Sequence, residues 1–416
     1  MKKVLSSLGP GLITGASDDD PSGIGTYSQV GAQFGNQLLW TMLFSLPLML
    51  AVQEISARIG RVTGKGIAAN LRTGSKWSAY PVVFLLFAAN TINIGADIAA
   101  MGAAAKLILG GPAIAYAVVF GVVSVLLEVF VSYRRYGPWL KWMTLALFTY
   151  VATVFTVKIP WASTLSATLI PHFSFSREMF TALVAVLGTT ISPYLFFWQA
   201  SNEVEEIQRV TRDQPLRAKP KQAEKQFRRI RIDTFVGMVF SAVIAFFIML
   251  TCAVTLHANG ITKIETAAQA AEALRPVAGT FAFALFSLGI VGSGLLAIPV
   301  LAGSAAYAIG EVLNWRTGLR YEARRARGFY GVITAATLLG LGMNFTALDP
   351  MKALYWAAVI NGIVSVPVLF LMLRLSRNPA VMTKRFSLPG GLNALGWLTC
   401  VVMLLATAGM VVAAAT

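Results

Sequence analysis

The chain of 416 residues is 56% hydrophobic and 12% charged, and its 34 lysines and arginines outnumber 18 acids for a formal net charge of +16. Soluble domains carry about 25% charged residues and need them as a polar shell, so this composition excludes a soluble globular enzyme. A disordered chain is excluded too, because disorder goes with low hydrophobicity.

Apolar stretches long enough to cross a hydrocarbon core of about 30 Å recur along the whole chain. They lie at about 9–34, 38–60, 79–107, 112–132, 138–157, 178–207, 232–257, 278–312, 329–346, 351–373 and 391–414. The expected fold class is an all-α integral membrane protein with eleven transmembrane helices. The basic start MKKVLSSLGPGL looks like the front of a signal peptide, but no small-residue cleavage site followed by a soluble domain comes after it, so it reads as retained.

With the N-terminus placed in the cytoplasm, 28 of the 34 basic residues fall in cytoplasmic segments. Six remain outside: Lys106, Lys158, Arg177, Lys263, Arg275 and Lys352. The positive-inside rule then predicts a cytoplasmic N-terminus and an external C-terminus, in a plasma or bacterial inner membrane. The charge is spread over loops facing one leaflet, so its counterpart is anionic lipid and not nucleic acid. Nine basic residues crowd the polar loop 208–231, which holds Pro215 and Pro220. A solvated connector is expected there, with a regulatory docking segment as the alternative. The run ITKIETAAQAAEALR (261–275) has helical periodicity and predicts an amphipathic helix lying outside before the eighth span.

Two spans are not smooth. The first holds Asp18, Asp19 and Asp20, then Pro21, with Gly15, Gly23 and Gly25 around them. The sixth holds Gly188, Thr189, Thr190, Ser192 and Pro193 at similar depth. Proline lacks a donor and disfavours helix in the residue before it, so an unwound turn is predicted at each place. The two prolines are 172 residues apart, and each break opens a group of five spans. Five is odd, so the second group starts on the opposite side of the membrane. Paired interrupted helices in inverted repeats point to a transporter's binding site at the midplane. Free carbonyls beside an acid suit a cation. Asp20 is the functional candidate, because an ionisable group at mid-membrane costs at least about 2.5–3.5 kcal/mol. Three adjacent acids cannot all be buried and ionised. Asp18 and Asp19 are therefore expected to face a watery vestibule or to cap the second half-helix.

The chain resembles the NRAMP family of divalent-metal transporters over nearly its whole length. The residues that carry the resemblance are the opening GPG, Asp20-Pro21 with QVGAQFG, QEISARIGRVTGKG (53–66), NIGADIAAMGAAAKL (93–107) and GTTISPYLFFWQAS (188–201). The resemblance implies a LeuT-type fold: an inverted repeat of five plus five helices with the first and sixth broken. It makes 1–416 a single transporter domain, with repeats at about 9–157 and 178–373 and an extra final helix at about 391–414. By position in the family's motifs it implies a metal site of Asp20, Gly23, Thr189, Ser192 and Asn361. Several of these positions depart from the family. Its asparagine ligand is Gly23 here, its sixth-helix methionine is Ser192, and the alanine that binds through its carbonyl is Thr189. Its two sixth-helix histidines are Tyr194 and Gln199, and the acid that would accompany Asp97 is Ala100. This set resembles the family's magnesium-transporting branch. Thioether selects softer metals, whereas Mg²⁺ prefers oxygen and keeps several waters.

The expected function is therefore import of Mg²⁺ and Mn²⁺, uncoupled from protons and driven by membrane potential. The alternative is a proton-coupled Mn²⁺/Fe²⁺ importer. A metal sensor lacks an output domain, an amino-acid carrier does not suit three aspartates, and no enzymatic constellation is visible. No cofactor and no obligate protein partner are expected; the partners are the divalent cation and the bilayer. Glu54 and Glu128 are read as local ion pairs with Arg58 and Arg134, or as snorkelling groups, and Glu203, Glu205 and Glu206 as partners of the basic loop. Asn90 and Asn93 are read as a polar network across the bundle, with a lining role in the ion path as the alternative. Cys252 and Cys400 sit in apolar runs and are expected to be packing thiols. His172 and His257, the only two histidines, are far apart in sequence, which argues against a histidine metal cluster.

Overall fold

A computed structural model describes residues 14–15, 17–74, 76–131, 145–209, 213–346 and 349–415, with the side chains of 74 and 76–78 excepted. Among these residues there are helices and no strands. The principal helices are α1 (Pro21–Phe34), α2 (Trp40–Thr63), α3 (Ile67–Gly74), α4 (Lys76–Leu109), α5 (Ala113–Phe130), α6 (Phe148–Val154), α7 (Trp161–Leu169) and α8 (Arg177–Thr190). They continue with α9 (Pro193–Arg209), α10 (Ala223–Thr255), α11 (Ala267–Glu272), α12 (Ala282–Leu313), α13 (Arg327–Met343), α14 (Pro350–Ser376) and α15 (Gly390–Ala415).

Among the described residues, eight stretches are long and apolar enough to cross a membrane, α8 and α9 together forming one of them. The other three expected spans also hold helix: the first as α1, the ninth as the 17-residue α13, and the fifth as the apolar piece Leu145–Val154. Residues 132–144, which include Arg134 and the first seven residues of the fifth span, and residues 1–13 at the start lie outside the described residues. The sixth span is the centre of the bundle: 94% of its most apolar window is buried, against 22% for α5 and for α15. Helices in lipid approach closely only where side chains are small. Gly188 of α8 lies against Gly362 of α14, where a Cβ on Gly188 would come within 2.5 Å of the Gly362 nitrogen. That approach seats α14, and with it Asn361, beside the second break.

Three expectations are corrected. The seventh helix begins at Ala223, not at 232, so Lys225, Arg228, Arg229 and Arg231 belong to its first turns. The described part of the basic loop before it, from Asp213 to Arg217, is docked and not merely solvated. Leu216 N donates to Arg61 O at 3.1 Å, Arg217 N to Val62 O at 3.2 Å, Asp213 pairs with Arg61, and Leu216 is fully buried. The amphipathic segment 261–275 is one short helix, α11, opened by a Thr266–Gln269 capping box; a separate turn, Arg275–Ala278, follows it. Pro276 accounts for that division, since it has no N–H to donate to the carbonyl of Glu272, where α11 ends. The connection after the fifth span also holds a helix, α7, that had not been expected.

The acids at the basic face are paired. Glu54 meets Arg58 at 2.6 Å, Glu206 meets Arg209 at 2.9 Å, and Glu203 pairs with Arg229. Glu205 departs from the basic loop and accepts from Tyr307 and from Leu319 N. Glu128 is buried and accepts from Thr337 of α13 at 3.3 Å, so it faces a neighbouring helix instead of snorkelling. Cys252 and Cys400 are buried and unbridged.

Candidate metal site at two helix breaks

Both predicted breaks are present. Residues 17–18 are helical, 19–20 are not, and α1 starts at Pro21 with Asp20 as its N-cap. In the sixth span α8 ends at Thr190, Ile191 and Ser192 leave the helix, and α9 starts at Pro193. The two breaks adjoin. A Cβ on Gly23 would lie 3.0 Å from Thr189 Oγ1 and 3.4 Å from Asp20 Oδ1, so the α1 entry and the end of α8 meet side by side.

Asp20 is the hub. Its Oδ1 accepts from Gly23 N at 2.6 Å, which is the capping bond of α1. Its Oδ2 accepts from Asn93 Nδ2 at 2.9 Å and lies 3.4 Å from the Tyr194 hydroxyl. The positive end of α1 therefore faces a carboxylate of the chain itself. Asp97, one turn after Asn93 on α4, accepts from Ser22 N at 3.2 Å and lies 3.5 Å from Asn93 Nδ2. Asn361 of α14 donates to Asn93 Oδ1 at 3.4 Å, and its own Oδ1 is buried without a partner among the described residues. Ser192 Oγ lies 2.7 Å from Gly188 O and 2.8 Å from Thr189 O, satisfying carbonyls that the break frees. Ser365 does the same for Ile191 O at 2.7 Å.

Of the five expected site residues, Asp20, Gly23 and Thr189 thus lie together, Asn361 joins them through Asn93, and Ser192 joins through the Thr189 carbonyl. Gly23 supplies no side chain, and its N–H is engaged by Asp20. The donors at this place are a carboxylate, hydroxyls, an amide oxygen and carbonyls. Among the described residues no group of three or more His, Cys, Asp or Glu side chains is arranged to hold a metal. Any ion held here would rest on mixed oxygens and its own water.

Asp18 and Asp19 neither face a vestibule nor cap α1, since Asp20 takes the cap. Both are buried and share Ser241 of α10, at 2.6 Å from Asp18 Oδ2 and 3.2 Å from Asp19 Oδ1. One oxygen of each has no partner among the described residues. Thr14, before the first break, donates to Gln199 Oε1 at 2.5 Å, a second tie between the broken spans. The expected polar network is present: Asn90 bonds Leu301 O at 2.8 Å and Ser304 at 2.7 Å. Asn93, however, belongs to the site itself.

The family profile described as natural resistance-associated macrophage protein-like matches residues 11–413. The chain belongs to the NRAMP family. A Klebsiella pneumoniae protein called divalent metal cation transporter MntH is 29% identical over 315 residues, 73% of this chain and 71% of the relative. An Aeromonas hydrophila protein of the same name is 28% identical, over 72% of each chain. The fold matches crystal structures of an Eremococcus coleocola manganese transporter, with TM-score 0.74 and 17% identity, covering 98% of this chain and 86% of that one. It also matches Mhp1, a nucleobase-cation-symport-1 family transporter, with TM-score 0.54 and 15% identity, covering 98% and 92%. The fold of this NRAMP chain is the LeuT-type inverted repeat.

Two site residues were missed in the sequence. Ser241 is a single hydroxyl in the long apolar run of the seventh span, and Ser365 follows Asn361 by one turn. A polar residue inside a mostly apolar span was the available signal in both cases.

Proposed function

We propose that this NRAMP chain is a membrane transporter that imports divalent metal cations, Mg²⁺ and Mn²⁺, without proton coupling. The MntH relatives, by name divalent metal cation transporters, support the cation class. One observation carries the choice of ion. The junction of the two breaks offers Asp20, the Thr189 hydroxyl and the unpartnered oxygen of Asn361, and Ser192 brings oxygen where the family has sulfur. Such a set favours hard cations. The fixed carboxylate at the start of α1 also disfavours a carboxylate-bearing substrate there.

Two features support an uncoupled mechanism: the histidine positions are Tyr194 and Gln199, and Asp97 faces Ala100 in place of an acid. The excess of basic residues on one face supports a cytoplasmic N-terminus and an external C-terminus in the cell membrane. The second reading, a proton-coupled Mn²⁺/Fe²⁺ importer, draws on the Asp20–Asn93–Asp97 chain of hydrogen bonds, which links two carboxylates. Parallel uptake of Mg²⁺, Mn²⁺ and Cd²⁺ by proteoliposomes separates the two. Mg²⁺ and Mn²⁺ should enter and Cd²⁺ poorly; strong Cd²⁺ uptake without Mg²⁺ uptake would reject the hard-ion site.

A further inference from the structure

The only two histidines of the chain, far apart in sequence, line one cavity of about 530 Å³ on the face opposite the basic loop. His257 follows the end of α10, and His172 precedes α8. Both rings are held in the same way. His257 Nδ1 lies 2.8 Å from the carbonyl oxygen of Ala32, and His172 Nδ1 lies 2.9 Å from that of Ile170. A carbonyl oxygen only accepts, so each ring carries its hydrogen on Nδ1 and keeps the lone pair on Nε2. Metal-ligating histidines are oriented in this way, with the other N–H donated to a backbone carbonyl.

The surroundings fit a ligand of that class. Gly35, at φ 57°, leaves the space the His257 ring occupies; a Cβ there would sit 3.1 Å from Nε2. Asn36 lines the same cavity and donates to Thr164 Oγ1 at 3.3 Å, leaving its Oδ1 buried with no partner among the described residues. Among the described residues no acid lines the cavity, and the one cation that does, Lys158, is an exposed residue. Neutral imidazoles without carboxylates do not attract Mg²⁺ or Ca²⁺, but they suit borderline transition metals.

We infer that this cavity is a peripheral binding site for a borderline transition-metal cation, with Zn²⁺ as the type ion, ligated by Nε2 of His172 and of His257. Asn36 Oδ1 and water complete the coordination. None of these residues belongs to the Asp20 network. Ala32 and Gly35 end α1, and His172 lies on the chain entering α8, so the ion would tie together the outer ends of the two half-helices that carry the transport site. An occupied site then slows uptake.

The test titrates Zn²⁺ into the purified full-length protein, free of any oligohistidine tag, in millimolar excess of Mg²⁺ to occupy the Asp20 site. The expected result is a single saturable Zn²⁺ site whose affinity falls by about tenfold or more in His172→Gln. In the His172→Gln/His257→Gln double variant it should be lost. His172 is exposed on a loop, so its variant keeps the fold, and Mg²⁺ uptake without Zn²⁺ should stay at the wild-type rate. External Zn²⁺ should inhibit wild-type Mg²⁺ uptake, should need about tenfold more Zn²⁺ to inhibit His172→Gln, and should fail to inhibit the double variant. Unchanged Zn²⁺ binding in the double variant, or equal inhibition of His172→Gln and wild type, would overturn the proposal.

Discussion

The two breaks share a backbone and differ in charge. In each, a residue outside the helix precedes a proline that starts the next half-helix: Asp20 before Pro21, and Ser192 before Pro193. Asp20 turns its carboxylate toward the start of α1 and gathers Gly23 N, Asn93 and Tyr194 around it. Ser192 turns back to the carbonyls that end α8. The inverted repeat thus supplies two equivalent openings, and one of them alone holds the charge. In the proposed transport, the first break would attract the ion and the second would shape the oxygens around it.

If that division holds, the largest effect belongs to Asp20. Asp20→Ala removes the carboxylate that Gly23 N and Asn93 bond, and hydrogen bonds to charged groups are worth about 1.5–3 kcal/mol each, so Mg²⁺ uptake should fall by at least about a hundredfold. Its elution as a monodisperse protein would show that the fold is kept. Asn93→Ala comes next. It removes the bond to Asp20 and the acceptor of Asn361, and hydrogen bonds to charged groups are worth about 1.5–3 kcal/mol, so uptake should fall about ten- to a hundredfold. If Asn93→Ala matches wild type, the hub is Asp20 by itself.

Selectivity sharpens the comparison further. Ser192→Met with Gly23→Asn should move preference toward Cd²⁺ and Mn²⁺. The structure adds a condition: a Cβ at Gly23 would press on Thr189 Oγ1 at 3.0 Å, so Thr189→Ala should be needed as well. A triple variant that still carries Mg²⁺ best would show that the second break does not choose the ion. Ser192→Ala should act more weakly. It leaves two carbonyls without a hydroxyl, at about 1 kcal/mol, and should slow uptake about fivefold. The smallest effects belong to Asp18→Asn and Asp19→Asn, which keep a partner in Ser241 and lie outside the hub. A dead Asp19→Asn beside an active Asp20→Ala would place the site on the wrong acid.

Both breaks were legible in the sequence because they are local. Proline, its preceding residue and nearby glycines determine them within a few positions, and the basic loops reveal the number of spans. The site's completion was not local. Asn93, Asn361 and Ser241 come from three different helices, and nothing in their own neighbourhoods says which acid they face. The same limit hid the cavity that His172 and His257 share, which sequence distance alone does not reveal. Helix ends failed for another reason. The first turns of α10 are basic and polar, so hydropathy stops at 232 while the hydrogen bonds begin at Ala223. Conversely, the helical periodicity of 261–275 concealed Pro276.

The central claim is that one fixed carboxylate carries a divalent ion across without a proton. A divalent ion entering a compartment held about 100 mV negative gains about 4.6 kcal/mol, enough for accumulation on the order of a thousandfold without coupling. The decisive measurement records Mg²⁺ uptake and internal pH together in proteoliposomes under an imposed potential. The account predicts uptake that follows the potential with no change in internal pH and no response to a pH gradient alone. Acidification that requires the metal and disappears in Asp20→Ala would contradict it.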